Sequence, residues 1–127
     1  MEWTQTYPGL PSMVPAIRAY VRGLLNGAPV SRDAELIASE LAGNSIRHTR
    51  SGNGGQITVT LTTRPGWARI AVCDAGAGDW TRPTPTEALG DYGRGLILVD
   101  ALADKFGHEL NEGGQTVWAE LTWSVEP

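Results

Sequence analysis

The alternation of apolar and polar residues predicts the order of secondary-structure elements along this chain. Apolar positions three and four residues apart predict helices over residues 12–25, 31–48 and 93–106. Alternation with a period of two predicts strands over residues 3–7, 56–63, 67–73, 108–111 and 116–123. This order predicts a two-layer α+β sandwich, with helices packed on one face of a mixed, mostly antiparallel sheet.

Turn and cap residues mark the ends of these elements. Ser12 and Ser31 are predicted N-caps of the first two helices, because a serine oxygen can accept a hydrogen bond from a first-turn amide. Residues 64–66, Arg-Pro-Gly, predict a hairpin turn, and residues 112–114, Glu-Gly-Gly, predict a second one. Residues 74–92 contain several Gly and Pro residues without periodicity, and a segment of this length is often a functional lid.

Length and composition place limits on the function. The 127 residues fit a single domain over residues 1–127. A net charge of −4 with scattered basic residues gives no support for direct nucleic-acid binding. No apolar run is long enough to span a membrane, and the N-terminus resembles no signal peptide, so we expect a cytoplasmic protein without a membrane partner. Cys73, the only cysteine, is expected to be a buried packing residue.

The stretch from Glu40 to His48 is the most informative part of the sequence. Glu40, Asn44 and His48 recur every four residues and therefore share one face of the second predicted helix. A carboxylate and an amide at the edge of an apolar stripe are costly to bury without partners, which indicates a polar pocket. One of them could hold a metal and the other could accept a proton. Taken alone, Glu40 is more typical of a salt-bridged residue, and His48 of a helix-end cap.

Three further motifs carry candidate chemistry. Asp74, followed by Gly76 and Gly78, ends a strand, where a carboxylate can accept a hydrogen bond from an exocyclic amine; an ordinary Gly-rich turn is the alternative. Gly93-Arg94-Gly95 begins the third helix, where free amides favour phosphate, although a simple loop-to-helix junction is equally compatible. Thr116, entering the last strand, could bond adenine or a water molecule beside Asp74. No Walker-type P-loop sequence is present.

Taken together and in this order, the motifs resemble those of the GHKL ATPases, whose nucleotide-binding fold is called the Bergerat fold. Within that superfamily the chain is most similar to single-domain anti-sigma-factor serine/threonine kinases and their actinobacterial-type relatives. The resemblance covers roughly residues 12–123. It is most specific at the helix box of Glu40 and Asn44 and at the box of Asp74.

The resemblance implies a role for each matching residue. Asn44 would coordinate Mg²⁺ at the ATP phosphates, and Glu40 would be the general base. Asp74 would recognise adenine together with Gly76 and Gly78. The other nucleotide-binding positions that we carry over are His48, Gly93, Arg94, Gly95, Leu96 and Thr116, and the lid corresponds to residues 79–92.

The leading functional hypothesis is an ATP-dependent serine/threonine kinase that also sequesters a sigma factor and phosphorylates an anti-anti-sigma (STAS-type) protein. The resemblance also implies homodimerisation. One alternative is a nucleotide-gated binding module that transfers nothing, which the acidic Asp91 near the triphosphate site favours. Another is a detached catalytic half of a histidine kinase, which would need a partner that carries the phosphoacceptor histidine.

Overall fold

The computed structural model describes residues 1–48, 55–74, 91–111 and 114–125. A short 3-10 turn, Pro11–Met13, precedes the first helix. The helices are α1 (Val14–Leu24), α2 (Ser31–His48) and α3 (Asp91–Leu102). The strands are β1 (Glu2–Pro8), β2 (Gln56–Arg64), β3 (Trp67–Asp74), β4 (Lys105–Asn111) and β5 (Gly114–Thr122). Within the described ranges, no helix has both the length and the apolar character needed to cross a bilayer.

The five strands form one sheet in the order β1-β2-β3-β5-β4. All four pairings between the described strands are antiparallel, whereas the predicted mixed sheet would also contain parallel pairs. Both predicted hairpins are present, as β2 pairs with β3 and β4 pairs with β5. The α+β class and the order of elements are confirmed.

Side-chain alternation gives the sheet a helix-facing side and an open side. In β3, Ala68, Ile70 and Val72 are fully buried. Their register partners in β5 are Leu121, Ala119 and Val117, which are also buried. Residues of all three helices complete this core, among them Ile17, Ile37, Leu41, Leu96 and Val99. Burial of each large apolar side chain contributes about 1.5–3 kcal/mol, which fixes the helices on this side.

Several predicted element boundaries differ from the structure, among them the start of the first helix and the end of the third. Ser12 lies inside the 3-10 turn, and no side-chain cap bond is made at the start of either that turn or α1. The third helix ends at Leu102 instead of continuing to residue 106, and Phe106 belongs to β4, opposite Ala119. Apolar spacing alone does not separate these outcomes, since a buried apolar residue suits a helix or a strand, and Phe106 is 6% exposed in β4.

An ion-pair cluster ties α1 to α2. Arg22 donates hydrogen bonds of 3.2 and 2.5 Å to the two carboxylate oxygens of Glu35, and Arg18 lies 3.4 Å from Glu35. The Glu35 side chain is only 12% exposed. The hydrogen bond from Arg22 lowers the pKa of Glu35, which outweighs the opposing effect of burial. This contact helps to hold the N-terminal half of α2 in place, and the candidate site lies in its C-terminal half.

Candidate functional site

Helix α2 brings Asn44 into the interior beside Glu40. The two residues are one helical turn apart; Asn44 is 3% exposed and Glu40 is half-buried. Asn44 Oδ1 is buried and has no hydrogen-bond partner within the described part of the chain. An unsatisfied buried acceptor costs about 1–3 kcal/mol, so this oxygen is suited to a ligand that compensates for that cost.

The donor set at Asn44 fits a magnesium ion that is held mainly by a nucleotide. Mg²⁺ prefers oxygen ligands and is commonly bound by one or two protein groups together with substrate phosphates and water. Among the described residues, no three His, Cys, Asp or Glu side chains gather as a metal-binding group.

Glu40 lies directly against α3. A Cβ atom built at Gly95 would collide with Glu40 Oε2, and Glu40 Cδ would lie 3.4 Å from it. Gly95 itself is buried. The Glu40 carboxylate thus touches the backbone of α3, the helix that contains the Gly-Arg-Gly motif, so the structure brings the predicted base and one predicted phosphate-binding glycine into contact.

Helix α3 begins at Asp91, two residues before the predicted start. The amides from the N-cap to the third helical residue have no intrahelical acceptor, and within α3 these include the amides of residues 91–93. Gly93 therefore contributes a free amide of the first turn, whereas the amides of Arg94, Gly95 and Leu96 lie beyond it. Leu96 is fully buried in the core. Gly95 supplies space for Glu40 rather than a free amide.

Asp74 is the last residue of β3 and lies on the helix-facing side of the sheet, 5% exposed. Its register partner is Gln115, also 5% exposed, which donates a long hydrogen bond of 3.5 Å from Nε2 to Asp74 Oδ2. Thr116 pairs with Cys73 and lies on the open side of the sheet. The side chain adjacent to Asp74 is therefore that of Gln115.

Sequence reasoning missed both Gln115 and its neighbour His108. His108 Nε2 lies 2.8 Å from Gln115 Oε1, so the two residues extend the polar contact from Asp74 to strand β4. The alternation of side chains in β5 could have indicated Gln115, because Gln115 lies two and four residues before the apolar Val117 and Ala119 and so faces the same side of the sheet. A polar residue in the buried register of a strand must find a partner or a function.

Several predicted positions lie outside the described residues. Gly76, Gly78 and residues 79–90 of the lid fall in a range that the structure does not describe, as do the side chains of Arg94 and His48. The backbone places His48 at the last residue of α2. The site that can be described consists of Glu40 and Asn44 on α2, Gly95 on α3, and Asp74 with Gln115 on adjacent strands.

Comparison with known families identifies the domain to which this fold belongs. The chain matches the family model of the histidine kinase-like ATPase domain over residues 7–121. Because the match covers most of the chain, the protein belongs to this family of ATP-binding domains, and the broad resemblance found in the sequence is confirmed. No curated protein gave a significant match.

Proposed function

We propose that the protein is an ATP-dependent serine/threonine protein kinase that also acts as an anti-sigma factor. It would transfer the γ-phosphoryl group of ATP to a serine or threonine of an anti-anti-sigma partner with a STAS-type fold. The observation that carries the proposal is the contact between Glu40 and Gly95, since it places a carboxylate beside the start of α3. A pure binding module has no need of a carboxylate at that position.

Each described residue has a role in this proposal. Asn44 would hold Mg²⁺ through its buried oxygen, and the ion would neutralise charge on the phosphates. The first-turn amides of α3 would bind phosphate oxygens at the positive end of the helix dipole. Asp74 would accept a hydrogen bond from the adenine amine. Glu40 would accept the proton of the attacking hydroxyl, a contribution of about 10²–10⁴-fold in rate.

The proposed partners follow from the resemblance. They are a sigma factor, a STAS-type protein that carries the phosphoacceptor, and a second copy of the chain in a homodimer. We place this exchange of partners in the cytoplasm.

The first test is calorimetric titration with ATP, with and without Mg²⁺, and with GTP as the control nucleotide. We expect Mg²⁺-dependent binding of ATP and exclusion of GTP.

Phosphoryl transfer is then followed with γ-labelled ATP and STAS-domain proteins encoded near the gene. Glu40→Gln, which keeps the shape of the side chain, should bind Mg-ATP and fail to transfer; transfer at the wild-type rate would contradict the assignment of the base.

A nucleotide-gated regulator without phosphoryl transfer is the second candidate, favoured by the start of α3. The helix begins at Asp91, so the sequence has an acidic residue at the first position of this helix. Such a residue interacts favourably with the helix dipole and repels a phosphate. Asp91→Asn distinguishes the candidates: in a regulator it should tighten ATP binding with no transfer to any STAS-domain protein.

A further inference from the structure

Gln115 occupies a position that couples it to the proposed adenine-binding carboxylate. It lies directly opposite Asp74 in the antiparallel register, on the same side of the sheet, and both residues are 5% exposed. Its Nε2 donates to Asp74 Oδ2 over 3.5 Å. A buried carboxylate oxygen that accepts a hydrogen bond from a neighbouring amide gains a fixed orientation.

His108 contacts the opposite end of the Gln115 amide and so reinforces the orientation in which Nε2 faces Asp74. His108 Nε2 lies 2.8 Å from Gln115 Oε1. A carbonyl oxygen can only accept, so Nε2 must carry the proton, an assignment that follows from the hydrogen-bond network. With Oε1 engaged by His108, the amide NH₂ group points at Asp74. Without His108 the amide would lose the contact that fixes its oxygen and would hold Asp74 less rigidly.

From this geometry we propose that Gln115 is a specificity-determining residue for the nucleobase and that His108 is its positioning residue. The chain of donors runs in one direction, from His108 to Gln115 to Asp74. It holds the carboxylate so that it accepts a hydrogen bond from a base with an exocyclic amine and disfavours a base with a carbonyl there. The inference rests on the proposed binding of ATP.

The test compares ATP with ITP, which carries a carbonyl in place of the adenine amine. Affinities for both nucleotides are measured by calorimetry in the presence of Mg²⁺ for the wild type, Gln115→Leu, His108→Ala and His108→Gln. The preference of the wild type for ATP over ITP should fall about tenfold in Gln115→Leu and His108→Ala, as expected for loss of one hydrogen bond to a charged group. His108→Gln should restore it, because a glutamine amide can donate from a position similar to that of Nε2.

The matched control is Glu109→Gln, the neighbour of His108 on the same strand, whose side chain is 60% exposed. It should leave the preference unchanged. A Gln115→Leu protein that keeps its preference for ATP overturns the inference, and so does an equal loss of affinity for both nucleotides. A loss of preference in Thr116→Val, with Gln115→Leu unaffected, would assign the role to Thr116 instead.

A second measurement needs no nucleotide. The chain has two histidines, so nitrogen NMR of imidazole-labelled protein gives two sets of signals, which the His108→Ala variant assigns. At mildly alkaline pH we expect His108 in the tautomer protonated at Nε2, and a shift of its signals in Gln115→Leu. The other tautomer would overturn the network.

The failure of this inference can be distinguished from failure of the proposed function. If the wild type does not bind ATP, the proposed function is refuted and the nucleobase role with it. An unchanged preference in Gln115→Leu refutes this inference alone.

Discussion

Replacement of Gly95 by alanine should separate catalysis from folding. The added Cβ would collide with Glu40 Oε2, the far end of a flexible side chain, so the carboxylate must move. Moving it off its preferred rotamer costs about 0.5–1.5 kcal/mol. Alanine within a helix is favoured over glycine by about 0.8–1.0 kcal/mol. The two effects nearly cancel, so the free energy of unfolding should change by less than about 1 kcal/mol, or a few degrees in Tm.

The expected effect on phosphoryl transfer is much larger. If Glu40 is the general base, displacing its carboxylate removes a contribution of about 10²–10⁴-fold, roughly 2.7–5.4 kcal/mol of the activation barrier. ATP affinity should stay within a factor of a few, because Asn44 and Asp74 are untouched. The assay is the rate of phosphoryl transfer to the acceptor protein at saturating ATP, with Tm and ATP affinity measured on the same samples.

Two controls make this prediction sharp. Gly23→Ala is also a glycine-to-alanine change inside a helix, and its new Cβ would have no heavy atom within 4 Å among the described residues. It should raise Tm slightly and leave transfer unchanged. The double variant of Gly95→Ala with Glu40→Gln should be no slower than Glu40→Gln alone. A Gly95→Ala protein that folds and transfers at the wild-type rate would refute the reasoning.

Three further variants test other parts of the structure. Asn44→Ala should abolish the Mg²⁺ dependence of ATP affinity, which calorimetry measures; full retention of Mg-ATP binding would exclude the metal role. The stability of the free protein, measured by urea unfolding, should change by less than about 1 kcal/mol, because the variant removes a buried oxygen with no partner in the described ranges. Glu35→Gln removes a carboxylate whose pKa is lowered by Arg22. The ion pair with Arg22 stabilises the fold above the ordinary glutamate pKa of about 4.3, and this stabilisation is lost as the pH falls through the lowered pKa. Urea unfolding should therefore show the variant less stable than the wild type at neutral pH, with a difference that disappears in acid; a difference independent of pH would contradict it. Gly66→Ala should destabilise the protein by about 1–3 kcal/mol, since Gly66 has φ +75° and a new Cβ would lie 2.8 Å from a main-chain oxygen. Gly27→Ala is the control, because Gly27 has φ +87° and a new Cβ there would meet no described heavy atom within 4 Å, so it measures the backbone cost alone. Equal losses of Tm in Gly66→Ala and Gly27→Ala would show that the close contact at Gly66 adds nothing.

The sequence could predict the elements because their patterns are local. The alternation in β2 and β3 and the turn between them lie within 19 residues, and the structure has the same strands with ends shifted by one residue. The face that Glu40 and Asn44 share follows from the helical period alone. Prediction was less accurate after Leu102, where the same apolar residues suit either a longer helix or the start of β4.

The contacts between elements could not be predicted from such patterns. Glu40 touches Gly95 only because α2 and α3 pack beside each other. Gln115 meets Asp74 because β5 inserts between β3 and β4 in a particular register, although 41 residues separate the two in the chain. A shift of one residue in that register would turn Gln115 away and bring Thr116 to the helix-facing side.

The sequence by itself determined the fold class, the order of elements and the principal polar residues of α2 and β3. These depend on periodicity and on the local chemistry of helix and strand ends, which short stretches of sequence encode. Only the tertiary structure decided that Glu40 lies against Gly95 and that Gln115, oriented by His108, lies beside Asp74. Those contacts arise from strand register and helix packing, which are set by burial of the whole core at once.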